Sequence, residues 1–245
     1  MNFVNKIKRE LRKIKKRLFK ISDLDLLIPA EIENDQFSEL IKRIALDSSI
    51  KKIIEIGSSS GNGSTRCFVD TLEKRKDLDD IIFICMEISN IRYKKLNKYL
   101  ASYKFAKAYN LSSVDISSFP SEEEVIEFYK SRKTNLNKYS LKRILEWRKQ
   151  DIDYIKSTGR NIIGIEAIKR SLGINVFDLC LIDGSEFTGK EELKYLIGTK
   201  YILLDDTESY KCREAFEILD KNEDYQLIEH RPFCRNGFAA FKKKR

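Results

Sequence analysis

The chain concentrates its chemically capable side chains in a few short segments. The densest is Ile53-Ile54-Glu55-Ile56-Gly57-Ser58-Ser59-Ser60-Gly61-Asn62-Gly63-Ser64-Thr65. An apolar run leads into a glycine-rich turn, and a helix is expected to start at Ser64 or Thr65. Gly57 can take a tight turn without steric cost, while Gly61 and Gly63 would let a ligand lie against the backbone beside a helix N-terminus. The next apolar run, residues 81–86, ends in Glu87, and a carboxylate there can accept both hydrogen bonds of a sugar diol. Two further apolar runs also end in acids, the first in Asp183 and the second in Asp205 and Asp206. Buried strands rarely end in such a pair without a cation, donors or solvent to hold the charge.

These residues are useful only if the elements carrying them converge. Short β-rich runs at 52–56, 81–86, 105–109, 176–182, 201–204, 225–229 and 238–241 alternate with helical stretches. That pattern predicts an α/β fold: a seven-stranded, mostly parallel Rossmann-like sheet with helices on both faces. The last two runs are separated by a short turn containing Pro232 and Gly237, so they are expected to form an antiparallel hairpin. In an open parallel sheet the C-terminal strand ends line the ligand crevice, which brings the acids together. Residues 112–173 are too long for an ordinary connection and read as a helical insertion. Helix is expected from Pro120-Ser121 onwards and again around residues 141–155, which carry Trp147.

Composition narrows the function classes. The chain has 245 residues and a net charge of +9, enough for one sizeable domain with an appendage. Its charge is uneven. Residues 1–21 hold nine basic side chains against Glu10, and the last four residues are all basic, leaving 34 basic against 37 acidic residues between 22 and 241. The body, residues 22–245 read as one domain, is therefore not expected to carry a basic nucleic-acid groove. Val4, Ile7, Leu11, Ile14, Leu18 and Ile21 fall on one helical stripe among the lysines and arginines. This amphipathic helix has three readings: a docking or homo-oligomer contact, a peripheral helix on anionic membrane, and an RNA-binding arm. The five cysteines form no C-x-x-C pair and suit a reducing, cytoplasmic setting. A single histidine, His230, excludes a His-rich metal site, and no G-x-x-x-x-G-K-[ST] phosphate loop is present.

The glycine turn, spaced G-x-x-x-G-x-G, resembles the first motif of class I S-adenosylmethionine (SAM) methyltransferases, with Glu55 in the acidic position. The resemblance spans roughly residues 50–241. It implies SAM as cofactor, held by Glu55, Gly57, Ser58, Gly61, Gly63 and Ser64, with Glu87 on the ribose. Asn110-Leu111-Ser112-Ser113 resembles the segment that meets adenine, which adds Ser112 and Ser113. Asp183, Asp205 and Asp206 resemble the magnesium-binding trio of metal-dependent O-methyltransferases, and hard oxygen ligands suit Mg2+. Asp183 would then act as ligand or base toward a hydroxylated small-molecule, sugar or glycan acceptor, with Lys190 as an assisting cation or a plain surface lysine. The alternative to metal binding is that Asp205 and Asp206 cap the following helix. Ser185-Glu186-Phe187 departs from the pattern, because several metal-dependent relatives carry a histidine there. The absence of Pro-Pro sets aside amino-group methyltransferases of DNA and glutamine. Two other functions stay open: a non-catalytic ligand-binding or scaffold protein on the same fold, and an RNA methyltransferase using the basic arm.

Overall fold

A computed structural model describes residues 22–244, and the amphipathic stripe expected over residues 1–21 lies outside them. Its strands are β1 (Lys52–Ile56), β2 (Ile82–Met86), β3 (Ala106–Tyr109), β4 (Leu179–Ile182), β5 (Tyr201–Asp205), β6 (Tyr225–Arg231) and β7 (Phe238–Lys243). They form one sheet in the order β3-β2-β1-β4-β5-β7-β6. Strands β1 to β5 are parallel, and β7 lies antiparallel between β5 and β6. The expected α/β Rossmann-like sheet with its C-terminal hairpin is thus the architecture observed. One run is shorter than its composition suggested. Strand β4 begins only at Leu179, and just before it Asp178 Oδ2 accepts the backbone N–H groups of Lys51 and Lys52, each at 2.8 Å, at the lower edge of the sheet.

Strand alternation divides the core between two faces. Ile53, Phe83, Leu181 and Leu203 point to α1 (Gln36–Ala45), α2 (Ser64–Leu72) and α3 (Asn90–Leu100), where they meet Phe37, Phe68 and Leu96. Ile54, Ile84, Cys180 and Ile202 point the other way, toward α6 (Gly164–Leu172), α7 (Gly189–Leu196) and α8 (Tyr210–Asp220). Burial of each such side chain contributes about 1.5–3 kcal/mol, so both faces hold the strand ends in place. Cys67, Cys85, Cys180, Cys212 and Cys234 are all free thiols, and four of them are buried. No helix of the described residues is long and apolar enough to cross a membrane.

The stretch at 112–173 folds into α4 (Glu122–Ser131), α5 (Leu141–Thr158) and α6. Helix α4 starts where Pro120-Ser121 predicted. Ser121 Oγ accepts the Glu124 N–H at 3.2 Å and Glu124 Oε2 accepts the Ser121 N–H at 2.6 Å, satisfying two N–H groups at the helix start. Helices α4 and α5 build a small core of their own from Phe119, Val125, Phe128, Ile144 and Ile155, which Phe187 joins from the β4–α7 loop. Helix α6 instead packs Ile165 and Ile168 on the sheet, making it the crossover helix from β3 to β4. The inserted material proper is therefore α4 and α5, set over the C-terminal strand ends.

Candidate active site

The sheet order reverses between β1 and β4, and the crevice opens there. Gly57 follows β1 with φ +86°, and a Cβ on it would overlap the Asp183 carbonyl oxygen. Only glycine lets the ends of β1 and β4 lie this close. The N–H groups of Gly57 and Ser58 both donate to the Met86 carbonyl at 3.0 Å, tying the turn to β2. Beneath it, Thr65 Oγ1 donates to Glu55 Oε2 at 2.5 Å. Burial raises the Glu55 pKa, opposed by the hydroxyls of Ser64, Thr65 and Ser58.

A cavity of about 250 Å³ lies above the turn. Gly57, Ser58, Gly63, Ser64, Glu87, Ser112, Ser113 and Asp183 all stand on its wall. Glu55 and Gly61, by contrast, sit behind it. Glu55 braces the turn from within the fold, and a Cβ on Gly61 would come 2.8 Å from Tyr99 Cδ1 of α3. Glu87 accepts the Ser89 N–H at 2.7 Å, and burial raises its pKa against the opposing charge of Arg92. Ser113 Oγ is engaged by the protein, donating to Glu192 Oε1 at 2.6 Å. Ser112 Oγ likewise donates to the Val114 carbonyl at 2.6 Å.

Asp183, Asp205 and Asp206 converge as expected, with oxygens all within 4.8 Å of one another. A side chain that no motif marked stands among them. Lys211, in the first turn of α8, donates from Nζ to Asp183 Oδ1 at 2.7 Å and pairs with Asp206 Oδ2 at 2.6 Å. Asp205 Oδ1 accepts from Arg235 Nη2 at 2.5 Å, and Arg235 also pairs with Asp35. Burial pushes Asp183 up to about 7, against the pull of Lys211. Burial alone would lower the Lys211 pKa, but the surrounding carboxylates raise it well above the ordinary lysine value. Helix α8 is capped by Ser209 rather than by Asp205 or Asp206. Lys190 points away, pairing with Glu214 at 2.8 Å on the surface. A magnesium ion at the trio would need carboxylate oxygens about 2.0–2.1 Å away. One oxygen of each carboxylate is engaged, by Lys211 in Asp183 and Asp206 and by Arg235 in Asp205, while Asp206 Oδ1 is buried without a partner; the Lys211 ammonium stands where a magnesium ion would have to gather the set.

A second cavity, of about 390 Å³, adjoins the first. The two share Leu24, Glu31, Asp151 and Lys211. The second is lined by acids, among them Glu186 and Asp206, beside Trp147 and Arg143 of α5. Tyr129 OH donates to Glu186 Oε1 at 2.7 Å, and burial moves Glu186 to about 7. Sequence reasoning did not find Lys211, Arg235, Asp151 or the covering segment at 24–32. Arg235, Asp151 and the 24–32 segment come from far along the chain, while Lys211 follows Asp206 by five residues and no motif marks it.

No protein-family model matches the chain, and no curated protein does. Solved structures do. A Bacillus cereus O-methyltransferase in complex with SAH superposes with a TM-score of 0.52 at 9% identity, covering 96% of this chain and 97% of that one. The fold is one that solved methyltransferases share. Two other methyltransferase-fold proteins agree. A Staphylococcus aureus protein assigned as a caffeoyl-CoA O-methyltransferase matches at 15% identity and TM-score 0.51, over 97% of this chain and 99% of its own. A Geobacter sulfurreducens methyltransferase matches at 11% identity and TM-score 0.51, over 97% and 90%.

Proposed function

We propose that the chain is a SAM-dependent methyltransferase that methylates a hydroxyl oxygen of a small molecule or sugar. The supporting observation is one cavity at the sheet's switch point whose wall joins the glycine turn, Glu87, Ser112, Ser113 and Asp183. The turn would hold the cofactor's methionine portion beside the N-terminus of α2, Glu87 would accept the ribose diol, and Ser112 and Ser113 would flank the adenine. An acceptor hydroxyl would be held at the junction with the second cavity, beside Asp151 and Lys211, within reach of the first. In the reaction the acceptor oxygen forms a bond to the methyl carbon and the carbon–sulfur bond breaks. Its electron pair stays on sulfur, and the hydroxyl proton passes to the Asp183 carboxylate. With a pKa near 7, Asp183 is suited to take a proton at neutral pH. Alignment of the two cavities supplies the rest, since holding nucleophile and methyl carbon in line removes much of the barrier.

Isothermal titration with SAM tests this without knowledge of the acceptor. Micromolar binding is expected, and Glu87→Ala should weaken it by about 1.5–3 kcal/mol, the loss of a charged hydrogen-bonding partner. No binding by the wild-type protein would sink the enzyme reading in favour of a non-catalytic scaffold.

A further inference from the structure

Three carboxylates gathered at the end of a buried sheet need positive charge close by. In this chain the charge is covalently attached. The Lys211 side chain is 12% exposed, with Nζ 2.7 Å from Asp183 Oδ1 and 2.6 Å from Asp206 Oδ2. The tether is short, because Ser209 starts α8 three residues beyond Asp206 and places Lys211 in its first turn. Arg235, reaching in from the turn between β6 and β7, covers Asp205. A dication added beside Lys211 would face an ammonium held against two of the three carboxylates, and the repulsion between the two cations opposes its binding.

We propose that Lys211 is the resident cation of the Asp183–Asp205–Asp206 cluster, in the place a divalent ion would take, so that the cluster does not bind magnesium. The ammonium has three N–H donors, of which two are directed to Asp183 and Asp206. Lys211 also lines both cavities, so the third donor is available to an acceptor oxygen at their junction. This last point rests on the methyltransferase reading; the cation assignment does not.

Manganese serves as a paramagnetic probe for a magnesium site. Electron paramagnetic resonance of Mn2+ titrated with the full chain is expected to show no stoichiometric binding at submillimolar concentration, with or without SAM. Lys211→Met, which frees Asp183 and Asp206, should gain one Mn2+ site at least about tenfold tighter than any binding by wild type, equivalent to about 1.4 kcal/mol. Lys211→Arg, which keeps the charge, should gain none. One tight Mn2+ per wild-type chain would overturn the proposal, as would a folded Lys211→Met protein that still ignores the ion. Should Lys211→Met fail to fold, the wild-type titration decides alone. SAM titration of the same wild-type samples in EDTA separates the two readings, since loss of SAM binding bears on the enzyme and Mn2+ binding on the cluster.

Discussion

At the scale of single residues, the three glycines of the turn look alike in sequence and do different work. Gly57 lets two strands close on each other at the cavity wall, Gly61 makes room for the Tyr99 ring behind it, and Gly63 stands on the wall at the start of α2. Gly57→Ala combines a positive φ with overlap on the Asp183 carbonyl. It should cost about 3 kcal/mol or more of stability. Urea denaturation checks this, and a loss under about 1 kcal/mol would mean that the turn can shift aside. Asp151 permits a pH test. Burial pushes its carboxyl up to about 6, although the Ser185 hydroxyl and Arg92 oppose this. With the folded value raised, the stabilising protonated form is fully present below about pH 4, and stability is lost as pH rises through 6. Asp151→Asn should therefore match wild type at low pH and exceed it by up to about 3 kcal/mol near pH 8. Parallel pH dependences of the melting temperature in the two proteins would refute this.

At the scale of elements, the segment from Ser22 to Ile32 roofs the cofactor cavity without forming a regular helix of its own beyond the 3-10 turn Asp23–Asp25. Asp25 fastens it, with Oδ1 accepting from Tyr154 OH at 2.6 Å and Ser89 Oγ at 2.7 Å. Arg92 Nε adds a bond to the Leu26 carbonyl at 3.0 Å. The roof thus links α3 and the inserted α5 across the cavity. Asp25→Ala removes the charged acceptor and should speed SAM dissociation roughly tenfold, the effect of about 1.4 kcal/mol. Stopped-flow displacement measures it, and an unchanged off-rate would show that the segment does not hold the cofactor.

At the scale of the whole molecule, the site draws on β1, β2, β4 and β5 together with both helical layers. Ligand binding therefore couples to the entire sheet. SAM at about 100 times its dissociation constant should raise global stability by about 2.7 kcal/mol in a single unfolding transition. A transition that splits, with only part of the signal responding to SAM, would place the site on an independently unfolding unit.

Much of this was legible in the order of residues. Short continuous apolar runs, glycines after β1 and acids at strand ends are local patterns, and local patterns are what a parallel sheet with its ligand crevice requires. They determined the sheet, its hairpin and the convergence of Glu87, Asp183, Asp205 and Asp206 on one edge. Tertiary structure decided what faces those groups. Arg235 and the roof at 24–32 reach the site through packing between elements distant in sequence, and Lys211, though only five residues beyond Asp206, is aimed back at the carboxylates by the turn into α8, which a lone lysine in the sequence does not announce. Nor could spacing tell that Gly61 serves a tyrosine ring or that Glu55 lies behind the wall. The side of a backbone on which a neighbour packs is settled only when the layers close.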